Sequence, residues 1–274
     1  MRAVKWGGET LVYAVVILLA TGMTIPFLYM LTTSLKTLAE SLQYPPAWIP
    51  RQLVWNNYIT IWSQTELLLW IKNSLIVAIS RIASQLTLGM LAAYAFAFLK
   101  FKGKHLVFMG MLMVLMIPHQ VVIIPQFLLM KQFGWLDSYK ALIVPQMVWP
   151  FSIFLFRQYF LTLPHELIEA AKMDGCNPLV TLVRIVVPNA KPVIMTMILV
   201  TFLAHWNDFM WPLIVTNSQS RMLLPVGMAN MVGEYNTNWP ILMTVATYAI
   251  IPVIALFIGG QRYFIEGMTT SGLK

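Results

Sequence analysis

Glu166, Glu169, Lys172 and Asp174 fall within nine residues, in the one charge-rich amphipathic interruption of the apolar second half of the chain. Pro164 ahead of them suits the first turn of a helix, because its φ is already helical and its missing N–H is not needed there; Thr162 lies near the cap. Glu166 and Glu169 then sit toward the positive end of that helix. Leu167, Ala170, Ala171 and Asp174 recur at i, i+3, i+4 and i+7 along one lightly apolar side. Gly175 stands where a left-handed C-cap belongs, and Asn177-Pro178 reads as a second cap and first-turn proline, opening a helix that Pro188 limits. The expected product is a short helix, a glycine turn and a second helix.

Other reactive groups are sparse. The chain has no phosphate-binding loop of the form G-x-x-x-x-G-K-[ST]; its only Gly-Lys pair, Gly103-Lys104, lies in a basic turn after Phe98. His105, His119, His165 and His205 are spread over different segments without metal-ligand spacing, so no metal site is expected. No nucleophile, base and orienting group come together in the pattern, so catalysis is not expected of this chain. Cys176 is the single cysteine, which excludes an internal disulfide. The polar residues set into apolar runs are Arg81 and the cluster Trp206, Asn207, Asp208 and Trp211, with His119 and Gln146 on proline-broken segments. Recognition of a sugar needs a flat aromatic face for the ring's C–H side and amides or carboxylates for its hydroxyls, and Trp206 with Asn207 and Asp208 offers both types. The competing reading places the two tryptophans in an interfacial aromatic belt and has Asn207 and Asp208 bond neighbouring helices or a partner chain. Arg81 likewise either lines a cavity or is held in a structural ion pair or carbonyl contact.

The elements that must position these residues follow from composition. With 59% hydrophobic residues, 10% charged residues and a mean hydropathy of +0.73, the chain cannot hide its apolar surface inside a soluble globule. Six spans are expected, near 11–35, 69–99, 106–130, 141–161, 192–215 and 241–258, giving an all-α membrane protein with six transmembrane helices. The first run is too long for a secretory signal and lacks a small-residue cleavage site. A cytoplasmic N-terminus places eleven basic residues inside, namely Arg2, Lys5, Lys100, Lys102, Lys104, Arg157, Lys172, Arg184, Lys191, Arg262 and Lys274, against six in outer segments and span ends. This distribution favours a cytoplasmic location for both termini and for the 157–191 loop. The net charge of +8 is dispersed between apolar runs rather than gathered into a stripe, so nucleic acid is not the expected partner. Residues 36–66 form the longest outer loop, which Pro45-Pro46 and Pro50 should hold extended. Pro118, Pro125, Pro145, Pro150, Pro212 and Pro252 interrupt candidate spans; such breaks can line a transport path, and prolines are also simply common in membrane helices.

The charged hairpin resembles the EAA loop of type I ABC importer permeases: Glu169-Ala170-Ala171, three residues, Gly175, nine residues, Ile185, one residue, then Val187-Pro188, with Val187 in place of leucine. Asn73-Ser74, Ala92-Ala93-Tyr94-Ala95, Phe156-Arg157-Gln158-Tyr159-Phe160, Trp206 to Pro212, Leu224-Pro225-Val226-Gly227 and Gln261-Arg262-Tyr263-Phe264 with Gly267-Met268-Thr269 look like the maltose-type carbohydrate permease family, in particular its shorter six-span subunit.

The resemblance implies a type I ABC importer permease fold in which Glu169, Ala170, Ala171, Asp174, Gly175, Ile185 and Pro188 belong to a coupling helix docking on an ATPase. It divides the chain into residues 1–70 (first transmembrane helix and extracytoplasmic loop), 71–265 (permease core, coupling loop at about 162–188) and 266–274 (cytoplasmic tail). It also implies a cytoplasmic-membrane complex with a second permease subunit, two ATP-binding subunits and an extracytoplasmic solute-binding protein. ATP and Mg would be bound by the partner ATPase, with no cofactor in this chain. The cargo would be a carbohydrate or sugar-like solute, moved by alternating access; glycerol 3-phosphate or another polar solute is the alternative. An ion-gradient-driven secondary transporter is a further one, for which paired intramembrane carboxylates would be wanted.

Overall fold

The computed structural model describes residues 3–233 and 237–271. Arg2 and Lys274, two of the basic residues used for orientation, lie outside the described residues, as does the end of the tail from residue 272.

Among the described residues, helices form wherever long apolar runs leave backbone groups no aqueous partner. Four are long and apolar enough to cross a membrane: Thr10–Ser34, Leu67–Phe98, Tyr139–Phe160 and Trp239–Gln261. Two helix pairs are long and apolar enough only when taken together, Lys104–Val114 with His119–Gln132 and Pro178–Asn189 with Lys191–Trp206, bent by 97° and 82°. Six spans result if each pair counts as one. The third span, expected over 106–130 with Pro118 and Pro125 interrupting it, breaks at the first of these: Pro118 has no N–H for the preceding turn, and the chain turns before a new helix starts at His119. The fifth span, expected over 192–215, also breaks, at Asn207–Phe209 between two helices.

The chain divides into two compact units. One holds the residues up to Leu67 together with Gly227–Ile251. It contains α1 (Ala3–Ser34), α2 (Leu38–Ser41) and α3 (Asn57–Gln64). The Asn57 amide donates to the last carbonyls around the end of α1, Ser34 O at 2.8 Å and Lys36 O at 3.0 Å, and the Tyr58 hydroxyl lies 2.6 Å from Ser34 Oγ. Lys36 is buried, its ammonium 4.9 Å from the Tyr29 ring centroid and bonded to the Ala47 carbonyl. These bonds order the 36–66 loop, which its prolines were expected to hold extended.

The other unit holds Leu68–Val226 and the residues from Pro252. Its helices are α4 (Leu67–Phe98, which begins one residue ahead of it), α5 (Lys104–Val114), α6 (His119–Gln132), α7 (Tyr139–Ile143), α8 (Pro150–Phe160), α9 (His165–Met173), α10 (Pro178–Thr181), α11 (Val187–Asn189), α12 (Lys191–Trp206) and α13 (Met210–Val215); α14 (Leu224–Asn230) and α15 (Trp239–Ser271) run across the division. One core gathers Ala93, Tyr94, Phe156, Phe160, Ile168, Val186 and Met197, and a second gathers Val77, Leu142, Trp211, Val215 and Leu223. The basic residues after α4 cap it: Lys104 Nζ donates to Ala97 O and Leu99 O, and Arg157 Nε to Phe96 O, satisfying carbonyls that a helix C-terminus leaves open. Asn73 donates to Ser220 O and Met222 O, and Ser74 Oγ accepts from Leu224 N, so this pair at the start of α4 pins the loop that leads into α14.

Candidate functional site

The charged hairpin is a short helix held by its inner edge. α9 starts at His165 with Pro164 as its cap residue, one position later than the expected first-turn proline. The buried positions of α9 are Ile168 and Ala171, and Ile168 packs in the core with Phe156 and Phe160; of the lightly apolar side of Leu167, Ala170, Ala171 and Asp174, only Ala171 is buried. Large aromatic rings on α8 make Ile168 the anchor of the helix. α9 ends in a Schellman motif: Cys176 N donates to Ala171 O at 2.9 Å and Gly175 N to Lys172 O at 3.0 Å, with Gly175 at φ +75° as expected. Asn177 Oδ1 accepts from Val180 N and Pro178 opens the next helix. That helix runs on to Asn189 through a π-turn over Leu182–Val186, where the proline at 188 cannot donate to a carbonyl one turn back. Ile185 is half-buried and Pro188 exposed. Outward stand Glu169, 3.3 Å from His165 Nδ1, with Ala170, Asp174 and Met173, the last 88% exposed. An apolar and acidic helix end is thus presented to whatever lies beyond the chain.

A second constellation lies in the apolar part of the same unit. Arg81, 0% exposed, donates from Nε and Nη2 to Leu142 O at 2.9 and 2.6 Å, and from Nη1 to Asp208 Oδ2 at 2.8 Å. Its Nη1 also lies 3.0 Å from His205 Nδ1. A guanidinium only donates, so at this contact the ring nitrogen is the acceptor. Gln85, one turn from Arg81 on α4, faces His205 Nε2 at 3.0 Å and donates to Gln146 O at 2.6 Å. The Gln146 side chain in turn lies 3.0 Å from His119 Nε2. His119 and Gln146 line a pocket of about 510 Å³ between the bent pair α5–α6 and the proline-broken start of α8, with Gln126 and Trp149 also on its wall.

The structure therefore joins Arg81, His119, Gln146 and Asp208 into one network. Asp208 is drawn to it because α12 ends at Trp206 and the chain unwinds before α13. Arg81 takes the structural form of its two readings, an ion pair with carbonyl contacts. Trp206 is 3% exposed and stacks on Phe202, and Trp211 donates from Nε1 to Ala141 O at 3.0 Å in the core, so neither ring forms an open face or a surface belt in this chain. Asn207 is exposed and donates back to Leu203 O. Gln85 and His205 were missed as members. The available signals were the i, i+4 spacing of Gln85 from Arg81 in an apolar helix and of His205 three residues before Asp208.

The family model described as binding-protein-dependent transport system inner membrane component matches residues 85–270. The arabinooligosaccharides transport system permease protein AraQ of Halalkalibacterium halodurans is 37% identical over 82% of this chain and 81% of its own. The sn-glycerol-3-phosphate transport system permease protein UgpE of Yersinia enterocolitica is 32% identical over 85% of each chain. The sulfoquinovosyl glycerol transport system permease protein SmoH of Agrobacterium fabrum is 32% identical over 94% of this chain and 91% of its own. A bacterial ABC transporter involved in the import of the acidic polysaccharide alginate has a chain that superimposes with a TM-score of 0.84 over 93% of this chain and 96% of that one, at 22% identity, which shows a shared fold. With its broken apolar helices and its anchored EAA hairpin, this multi-pass membrane protein of the type I permease fold belongs to the binding-protein-dependent transport system inner membrane component family, the permeases of ABC importers.

Proposed function

We propose that this chain is the shorter permease of an importer that carries a carbohydrate or other hydroxyl-rich solute across the cytoplasmic membrane, driven by two partner ATP-binding subunits and fed by an extracytoplasmic solute-binding protein. The observation that carries the reading is the α9 hairpin: its inner edge is fixed to the permease core through Ile168, while Glu169, Ala170, Met173 and Asp174 stay outward. A rigidly anchored helix with an unpartnered outer face transmits a push from an ATPase into α8 and α12. Binding energy is the input, because this chain carries no P-loop and hydrolysis belongs to the partner. Both termini and this loop face the cytoplasm, as the distribution of basic residues favours.

Relatives named for arabinooligosaccharides, glycerol 3-phosphate and sulfoquinovosyl glycerol support a polyhydroxylated cargo. The path on this chain runs past His119 and Gln146, whose imidazole and amide can exchange hydrogen bonds with hydroxyls. Arg81 already spends its charge on Asp208, which favours a neutral sugar over an anion. A second permease chain completes the path.

Reconstituted vesicles test the reading. The complex purified through this chain should contain an ATP-binding subunit, and uptake of arabinooligosaccharide should need ATP inside the cytoplasmic face and the binding protein outside. Purification without an ATPase, combined with solute flux that follows an ion gradient, would establish the secondary-transporter alternative instead.

A further inference from the structure

We infer that the outer face of α3 is an interfacial anchor, seated in the boundary between lipid headgroups and acyl chains where α1 leaves the membrane. Trp55, Ile59 and Trp62 recur at i, i+4 and i+7, and are 62%, 71% and 43% exposed. The first helical bonds, Tyr58 N to Trp55 O and Ile59 N to Asn56 O, extend the turn back to Trp55, so the three side chains share one stripe. The opposite edge of α3 is occupied, with Ile61 fully buried and Asn57 bonded to the carbonyls at the end of α1. This bonding fixes the level of the stripe: α3 caps the C-terminal end of a helix whose Thr10–Ser34 portion is a membrane span, and the end of such a span is the water–lipid boundary.

The chemistry of the surface matches that level. Trp and Tyr concentrate at membrane interfaces because their rings are apolar and their N–H or O–H needs a wet partner. Trp48, also largely exposed, rests edge-on against Tyr29 of α1 with centroids 5.4 Å apart, and Trp62 packs against Tyr248 at 4.9 Å. The aromatic face thus continues directly onto the membrane-spanning surface. Of the four charged residues between 36 and 66, Lys36 and Glu40 are buried, leaving only Arg51 and Glu66 exposed. The stripe presents two tryptophans and an isoleucine to the surroundings, with the exposed Asn56 and Ser63 beside it, the amphipathic pattern of a helix lying in a membrane interface.

Site-specific fluorescence decides between lipid and other occupants. In the reconstituted complex carrying Cys176→Ser, a polarity-sensitive probe is attached at Trp55→Cys, at Ile59→Cys and, as the aqueous reference, at Gln64→Cys, which lies half a turn from the stripe. The unlabelled Cys176→Ser complex gives the background. Two stripe positions are used so that loss of assembly in one variant leaves the other to report. The expected result is blue-shifted emission at 55 and 59, quenched by lipids bearing a nitroxide near the headgroup and shielded from aqueous iodide, with the reverse pattern at 64. Iodide quenching at 55 and 59 equal to that at 64 would overturn the inference. So would shielding without lipid quenching, or shielding that needs added solute-binding protein, because a protein partner would then cover the stripe.

Discussion

Replacing Asp208 by asparagine should damage this protein more than replacing Arg81 by methionine, although the two residues form one pair. Arg81 has no exposed surface, whereas the Asp208 side chain is 21% exposed. Asp208→Asn leaves a sealed guanidinium facing only the Leu142 carbonyl and a histidine ring nitrogen, and stranding one member of a buried pair costs about 3–5 kcal/mol. Partial access of water to position 208 puts the expected cost near the lower end, about 3 kcal/mol. Arg81→Met removes the charge and fills similar volume, while Asp208 turns toward water. What remains is the Leu142 carbonyl, which loses its donors at 2.6 and 2.9 Å, at about 1–3 kcal/mol for an unsatisfied buried acceptor. At roughly 2–4 °C per kcal/mol for a chain of this size, Asp208→Asn should lower the melting temperature of the purified complex by about 6–12 °C. The double variant should melt above Asp208→Asn alone, since it no longer buries a charge. The assay is thermal unfolding followed by size-exclusion of the surviving complex. An Asp208→Asn complex that melts with the wild type, or a double variant whose loss equals the sum of the singles, would refute the ion pair as the organising contact.

Gly175 holds φ +75° with open space around a would-be Cβ, so the penalty for a side chain there is conformational, about 1–2 kcal/mol; Gly175→Val should lower ATP-coupled uptake while Gly175→Asn, which tolerates the left-handed region, retains most of it, as transport assays on assembled complexes would show. Gly89→Ala would place a Cβ 2.7 Å from Ser152 Oγ, which is bonded to Trp149 O, forcing α4 and α8 apart at about 1–3 kcal/mol; Ser152→Gly in the same chain should restore the melting temperature. Burial opposes ionisation of Asp137, but hydrogen bonds from Ser218 and Asn217 and the nearby Arg221 outweigh it and hold the carboxyl below its ordinary value. Because the folded value is the lower one, the contribution is fully present above the unfolded value near ~4 and is lost as pH falls through the folded value; melting scans in acid should show a steeper loss in the wild type than in Asp137→Asn.

The membrane class, the number of crossings and the hairpin were determined by sequence, because each rests on local physics. Apolar runs must become helices in lipid, Gly175 is the residue that takes a left-handed cap without strain, and Asn177-Pro178 can cap and start a helix whatever surrounds it. Only tertiary structure decided which edge of α9 turns inward. The choice of Ile168 over Leu167 depends on where Phe156 and Phe160 stand, and no periodicity within nine helical residues contains that information. The same holds for the bend at Pro118, since a proline in a span can kink it, break it or leave it nearly straight, depending on what accepts the freed carbonyls. Arg81, Gln85, Gln146, His205 and Asp208 are separated by up to 127 residues, and it is the unwinding after Trp206 that brings the last of them to the first. A buried charge announces that a partner exists, but the partner is chosen by the packing of four segments against one another.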